Sequence, residues 1–185
     1  MAEVDALLDG QLILVTGPSR GGKSRWAEHL LADSATVTYV ATSARRPDDV
    51  EWQKRLQLHR DRRPNHWTLL ECEAELSCSL AQIAPSSDVL IDSLGGFVAW
   101  HLEACDQQWN DLVERLVREL TARNRRCVVV IEETGWGVVP PTAIGGLFRD
   151  RLGVLAQRLD AHATRSWLVL QGRAVDLHAF SCPVP

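Results

Sequence analysis

The run Gly17-Pro18-Ser19-Arg20-Gly21-Gly22-Lys23-Ser24 sets glycines, a lysine and a hydroxyl at the spacing G-x-x-x-x-G-K-[ST]. Residues of these types handle phosphate. Glycines let the backbone curl until its N–H groups face phosphate oxygens, and the start of a following helix adds partial positive charge. Lys23 has the reach for β- and γ-phosphates, and the Ser24 hydroxyl suits Mg2+. The flanks fit the pattern. Leu12-Ile13-Leu14-Val15 reads as a strand ahead of the loop, and Trp26 to Leu31 as a helix behind it. A nucleoside triphosphate is the expected ligand.

Three further groups could do chemistry. Asp92 ends the apolar run Val89-Leu90-Ile91. An acid at a buried strand tip beside a phosphate loop usually holds Mg2+ or its water, although Ser93 and two glycines also allow a helix cap. The second group is cationic. A helix is expected from about 48 to 62, stopped by Pro64, and it puts Arg55, His59, Arg62 and Arg63 on one face. That face is either a solvated basic surface, the reading that spacing alone favours, or a grip for phosphates. Neighbouring cations would also keep His59 neutral and nucleophilic. Third, Glu132-Glu133-Thr134-Gly135-Trp136-Gly137 follows the run Val128–Ile131, as an active-site loop or as a plain connection.

Composition sets bounds on these readings. The chain has 185 residues, is 45% hydrophobic and carries a net charge of -4, which suits one domain with a core and argues against general nucleic-acid binding. No apolar stretch approaches the roughly 20 residues that span a bilayer. Met1 to Gly10 carries Glu3, Asp5 and Asp9 without Lys or Arg, the wrong charge for a targeting peptide. A cytoplasmic location is therefore expected, with residues 1–11 an extension and 12–185 one domain. The five cysteines form no C-x-x-C pair, so reduced thiols are expected, with Cys127 in the core. His29, His66, His101, His162 and His178 lack partner spacing and read as structural or surface residues.

The elements that must carry these groups alternate along the chain. Strand-length apolar runs occur at Leu12–Val15, Val37–Ala41, Val89–Ile91, Val128–Ile131 and Trp167–Leu170. Their unbroken Val/Ile/Leu content suits strands buried on both faces of a parallel sheet. Helical periodicity fills the gaps. Leu112, Leu116 and Leu120 share a face between 111 and 121. Leu147, Phe148, Leu152, Leu155 and Leu159 make a stripe between 144 and 162, after Pro140-Pro141. The expectation is an α/β fold in three layers with a mostly parallel sheet. Ligands of such sheets sit at the carboxyl ends of the strands.

In order, the motifs resemble the bifunctional adenosylcobinamide kinase / adenosylcobinamide-phosphate guanylyltransferase family of cobalamin biosynthesis. The matching blocks are Leu12 to Gly17 with Gly22-Lys23-Ser24-Arg25, then Tyr39-Val40-Ala41-Thr42-Ser43. Next come Arg55 to Pro64 with His66-Trp67 and Glu71, followed by Leu90 to Leu94. Glu133-Thr134-Gly135-Trp136-Gly137-Val138-Val139-Pro140 and Phe148-Arg149-Asp150 with Gly153 and Gln157 complete the set. The resemblance implies a RecA-like P-loop NTPase fold and two reactions at one site. A nucleoside triphosphate, ATP or GTP, phosphorylates adenosylcobinamide. GTP then gives GMP to a histidine, which passes it to adenosylcobinamide phosphate.

The family histidine falls on His59, with Lys23 beside it as a catalytic group. Nucleotide contacts map onto Gly17, Pro18, Ser19, Arg20, Gly21, Gly22, Lys23 and Ser24, and onto Ala41, Thr42 and Ser43. They also map onto Arg60, Asp61, Arg62, Arg63, Glu71 and Asp92. Mg2+ falls to Ser24 and Asp92. A homo-oligomer, with a trimer as the family expectation, and no nucleic-acid partner or membrane span complete the implications. Gly21, Gly95, Glu132 and Ala156 depart from the residues frequent in the family: Ser, Thr, Asn and Asn. Other classes to separate are a guanylyltransferase lacking the kinase step, a simple small-molecule kinase, and a nucleotide-binding regulator without chemistry.

Overall fold

The computed structural model describes residues 11–44 and 47–184. The expected extension at 1–11 therefore lies outside the described residues except for Gln11. Seven strands form one sheet in the order β3-β2-β4-β5-β1-β6-β7. They are β1 (Leu12–Gly17), β2 (Val37–Ala41), β3 (Thr68–Glu71), β4 (Asp88–Asp92), β5 (Cys127–Glu132), β6 (Arg165–Leu170) and β7 (Arg173–Asp176). Every neighbouring pair is parallel except β6–β7, which is antiparallel. The helices are α1 (Lys23–His29), α2 (Val50–Arg62), α3 (Leu76–Gln82), α4 (Leu94–Trp100), α5 (Asp106–Thr121), α6 (Ala143–Asp160) and α7 (Leu177–Phe180). The three-layer, mostly parallel α/β sheet expected from the apolar runs is the fold.

Alternation along each strand sorts the core into two layers. Leu12, Leu14, Val89, Ile91, Val129 and Ile131 pack with Leu80, Leu94, Phe97, Leu116, Leu120, Leu155 and Leu159 of α3 to α6. Ile13, Val15, Tyr39, Leu90, Val128 and Val130 pack with Ala27, Leu31 and Trp67 on the other face. Leu147, placed in the α6 stripe by periodicity, is instead exposed. It lies near the start of α6, ahead of Arg151, the first buried residue of that helix.

The floor of the sheet is pinned by charge. Asp88, fully buried, accepts hydrogen bonds from Ser34 Oγ (2.6 Å), Arg125 Nε (3.0 Å), the Arg126 backbone N–H (3.0 Å) and Arg126 Nη2 (3.1 Å). A buried carboxylate is tolerated only with such saturation. It sits at the start of β4, so the far end of that strand, Asp92, opens toward the ligand side.

Helix boundaries moved by a few residues. The 48–62 helix begins at Val50, because Asp49 caps it by accepting the Trp52 N–H at 2.9 Å. The 111–121 helix starts earlier, at Asp106, and buries Trp109. β3 and β7 had no apolar run to announce them. They lie at the two sheet edges, where Thr68, Leu69, Glu71, Arg173 and Val175 are exposed.

Candidate active site

Four strand ends converge. The phosphate loop leaves β1, Ala41 ends β2, Asp92 ends β4 and Glu132 ends β5, the register pairing Ala41 with Asp92 and Gly17 with Glu132. The loop takes backbone conformations that need glycine: φ is 147° at Gly17 and 110° at Gly22, the latter capping α1. At Gly17 a Cβ would also collide with the Val169 carbonyl oxygen. Lys23 is buried and donates from Nζ to the Pro18 carbonyl at 2.8 Å, so its ammonium is folded across the loop.

Two cavities of ≈ 680 and ≈ 630 Å3 lie over these strand ends, in the range of small-molecule sites. Both are lined by Lys23, Trp52, His59, Asp92, Ser93 and Glu132. Arg20, Gly22, Ser24 and Arg62 line the first alone. Ser19, Ala41, Ser43, Arg60, Arg63 and Glu71 line the second alone. The sequence-derived positions thus gather at one place, although β1, α2 and β4 bring them from distant stretches of chain.

Two positions do not face this space. Thr42 is fully buried and its hydroxyl is committed to the Ser93 carbonyl, so its side chain is closed to a ligand. Asp61 is exposed on α2 and accepts from Gln57 Nε2 at 2.6 Å. Gly17, Pro18 and Gly21 shape the loop but line neither cavity. The side chain of Arg55 lies outside the described set.

His59 is set among charges of both signs. Its Nδ1 lies 3.6 Å from Asp92 Oδ2 and 3.3 Å from Arg62 Nη2. Arg62 is itself forked onto Glu28, with Nε 3.1 Å from Oε2 and Nη2 3.0 Å from Oε1. That hydrogen bond raises the Arg62 pKa further and shares its charge with the acid. The expectation that neighbouring cations set the surroundings of His59 is therefore corrected: an acid stands near the same ring nitrogen, and the nearest guanidinium is already paired with Glu28. Arg63 turns off the helix, donates from Nε to the His59 carbonyl at 3.2 Å, and lays its guanidinium 4.2 Å from the Tyr39 ring centroid.

Tyr39 was not singled out by its sequence. Its hydroxyl donates to Asp92 Oδ2 at 2.8 Å. Burial, then the adjacent Asp92 charge, push the phenol well above its ordinary pKa, so it remains a donor at neutral pH. The cap reading of Asp92 falls, because Ser93 occupies the α4 cap position and no side-chain oxygen caps that helix. Glu132, which the sequence offered as part of either an active-site loop or a plain connection, lines both cavities. It accepts from the Ser93 hydroxyl and from the Gly95 N–H at 2.9 Å, and a Cβ at Gly95 would lie 2.6 Å from Glu132 Oε2. A glycine at 95 is what lets the carboxylate stand there. Trp52 and Glu28 also went unnoticed, since neither type announces a site on its own.

A phosphate loop on a mostly parallel sheet, with an acid at the tip of β4, one strand removed from β1, and a histidine near both, defines a P-loop enzyme of phosphoryl or nucleotidyl transfer. A family profile described as "Cobinamide kinase / cobinamide phosphate guanyltransferase" matches residues 13–177, and the chain belongs to this family. It is 34% identical over 181 residues to the "Bifunctional adenosylcobalamin biosynthesis protein CobU" of Salmonella typhimurium, covering 90% of this chain and 99% of that one. It is 34% identical over 168 residues to the "Bifunctional adenosylcobalamin biosynthesis protein CobP" of Pseudomonas aeruginosa, covering 89% and 95%. Among solved structures it is similar to a prototypical ATPase from the type III secretion system of pathogenic bacteria. The TM-score there is 0.59 at 10% identity, over 98% of this chain and 62% of that one. The ATPase EscN of enteropathogenic E. coli gives a TM-score of 0.58 at 10% identity, over 88% and 43%. At that identity the likeness is one of fold.

Proposed function

We propose that this chain carries out both reactions of its family at the single site above. It transfers a phosphoryl group from a nucleoside triphosphate to the side-chain hydroxyl of adenosylcobinamide, then moves GMP from GTP through His59 onto the resulting phosphate. The observation that carries this reading is the convergence of Lys23, Asp92 and His59 on the wall shared by the two cavities. A simple kinase would leave His59 without a task, and a regulator would need neither His59 nor Asp92.

The residues divide the work. Loop N–H groups from Ser19 to Lys23 and the Lys23 ammonium would hold the β- and γ-phosphates and offset the charge that builds up as phosphate transfers. The Lys23 ammonium, which has three donors and gives one to the Pro18 carbonyl, would turn toward the phosphates, where it meets an opposite charge. Arg60, Arg62 and Arg63 would hold phosphates on the α2 side. Glu71, at the end of β3 and on the second cavity, would accept N–H groups of the base. Ser24 and Asp92 both line the ≈ 680 Å3 cavity and offer hard oxygen donors, so they fit Mg2+ completed by phosphate and water oxygens. The ion would neutralise phosphate charge when bound.

In the second reaction the His59 ring would attack the α-phosphorus of GTP, forming an N–P bond as the P–O bond to pyrophosphate breaks. The adenosylcobinamide phosphate oxygen would then attack the same phosphorus and return the electron pair to the ring.

Among the described residues, no helix is long and apolar enough to cross a membrane. A cytoplasmic location is part of the proposal. So is a homo-oligomer, supported by Trp136, Val138, Val139 and Ile144, all exposed at or just before the start of α6. A trimer mass in solution is the expected result, and a monomer at micromolar concentration would contradict it. The activity itself is tested by incubating the protein with Mg2+, adenosylcobinamide and either ATP or GTP, then separating products. Adenosylcobinamide phosphate followed by adenosylcobinamide-GDP is expected. The GDP adduct formed only from supplied phosphate would favour the transferase-only reading, and absence of both would overturn the proposal.

A further inference from the structure

Of the nucleophiles that the two proposed reactions need, one carries a proton that must leave the attacking atom. The His59 ring attacks through a nitrogen lone pair, and the phosphate oxygen of the second transfer is already anionic. The side-chain hydroxyl of the first reaction has to lose its proton as it joins phosphorus. That step calls for an acceptor beside the triphosphate.

Two described carboxylates, Asp92 and Glu132, line both cavities. Asp92 already accepts from the Tyr39 hydroxyl at 2.8 Å, and its remaining oxygen capacity suits the metal ion. Glu132 is tied to the start of the phosphate loop. It ends β5, the strand beside β1, in register with Gly17, and the next N–H, that of Glu133, donates to the Gly17 carbonyl at 2.9 Å. Its carboxylate is held in place. Oε1 accepts from the Ser93 hydroxyl and Oε2 from the Gly95 N–H at 2.9 Å, and residue 95 has no Cβ to displace it. Both donors are neutral, so the charge stays on the carboxylate, and each oxygen keeps a second lone pair. An anion on the wall of a triphosphate site repels phosphate. What it can take is a hydroxyl proton or a cation.

We propose that Glu132 is the general base of the phosphoryl transfer, accepting the proton of the adenosylcobinamide hydroxyl. The inference rests on the kinase reaction proposed above. In that step the hydroxyl oxygen forms a bond to the γ-phosphorus. The bond from the γ-phosphorus to the β–γ bridging oxygen breaks, with its electrons on the departing nucleoside diphosphate. The hydroxyl proton moves to a Glu132 oxygen, which later returns it to water. Asn, the residue frequent at this position in the family, could orient a hydroxyl but not take its proton, so this step is particular to the present chain. Guanylyl transfer makes no call on Glu132, because neither of its nucleophiles has a proton to give up.

The test compares the two reactions in one variant. Glu132→Gln keeps the shape and an acceptor oxygen but removes the charge. In the full-length protein, single-turnover phosphorylation of adenosylcobinamide from γ-labelled nucleotide is measured beside covalent labelling of the chain by α-labelled GTP, each across a range of Mg2+. Phosphorylation is expected to fall about 100-fold relative to guanylylation, the loss of a general base. Labelling by GTP also reports that the variant is folded and binds triphosphate. Phosphorylation at the wild-type rate would overturn the inference. So would both reactions falling together: recovery at high Mg2+ would make Glu132 a metal ligand, and no recovery would make it a structural support. If the wild-type protein forms no phosphorylated product, the kinase reading fails and the inference with it. That result is distinct from a Glu132→Gln protein that works as well as the wild type.

Discussion

At the scale of single residues the site is a set of mutual accommodations. Gly95 and Glu132 illustrate this. The carboxylate accepts the Gly95 N–H at 2.9 Å and the Ser93 hydroxyl, and it stands where a Cβ on residue 95 would be. Gly95→Ala should push Glu132 off that N–H and leave a partly buried donor unpaired, costing about 1–3 kcal/mol of stability. Chemical denaturation with unchanged slope but lowered midpoint would show it; an unchanged midpoint would mean that Glu132 shifts freely. The residues that announced themselves in the sequence were those whose chemistry depends on local spacing: the loop glycines, Lys23, Ser24, and Asp92 at the tip of an apolar run. Tyr39 was silent as a site residue because its partner, Asp92, lies 53 residues away in the chain, and the contact that fixes Glu132, with Ser93, spans 39. Only folding makes them neighbours.

Among the elements, α2 stands apart. The other long helices bury an apolar stripe, Val113, Leu116 and Leu120 in α5 and Leu152, Leu155 and Leu159 in α6. No described side chain of α2 is buried, and Val50 and Leu58 are exposed. What holds α2 is polar: the Asp49 cap, the Arg62–Glu28 fork to α1, and Arg63 on Tyr39. Such contacts are individually weak and screened by salt. His59 therefore rides on an element with little packing of its own, at the low end of local stability. Asp49→Ala should remove about 1 kcal/mol from the helix start. Amide exchange across Val50–Leu58 should quicken while exchange in β1 and β5 is unchanged. Equal protection in both proteins would mean that the cap does not hold α2. This helix was legible from Pro64 and its charge spacing, and five strands were legible from their apolar runs. β3 and β7 were not, because edge strands expose the residues that would otherwise mark them.

For the whole molecule, the sheet separates support from chemistry. One end is locked by Asp88 with Arg125, Arg126 and Ser34, while the other carries every candidate group at strand ends or in the helices that follow them. That polarity follows from parallel strands, which put successive loops on the same edge. It lets a triphosphate held by the β1 loop lie under a histidine carried from the β2–β3 connection, so one fold can host transfer of either the γ-phosphoryl or the α-nucleotidyl group. The central claim is that His59 takes the nucleotide covalently. The most direct measurement is incubation of the protein with Mg2+ and GTP labelled at either the α- or the γ-phosphate, followed by denaturation. Acid-labile label from the α position alone, absent from His59→Ala, is the expected result. GTP binding with no label on the chain would contradict it.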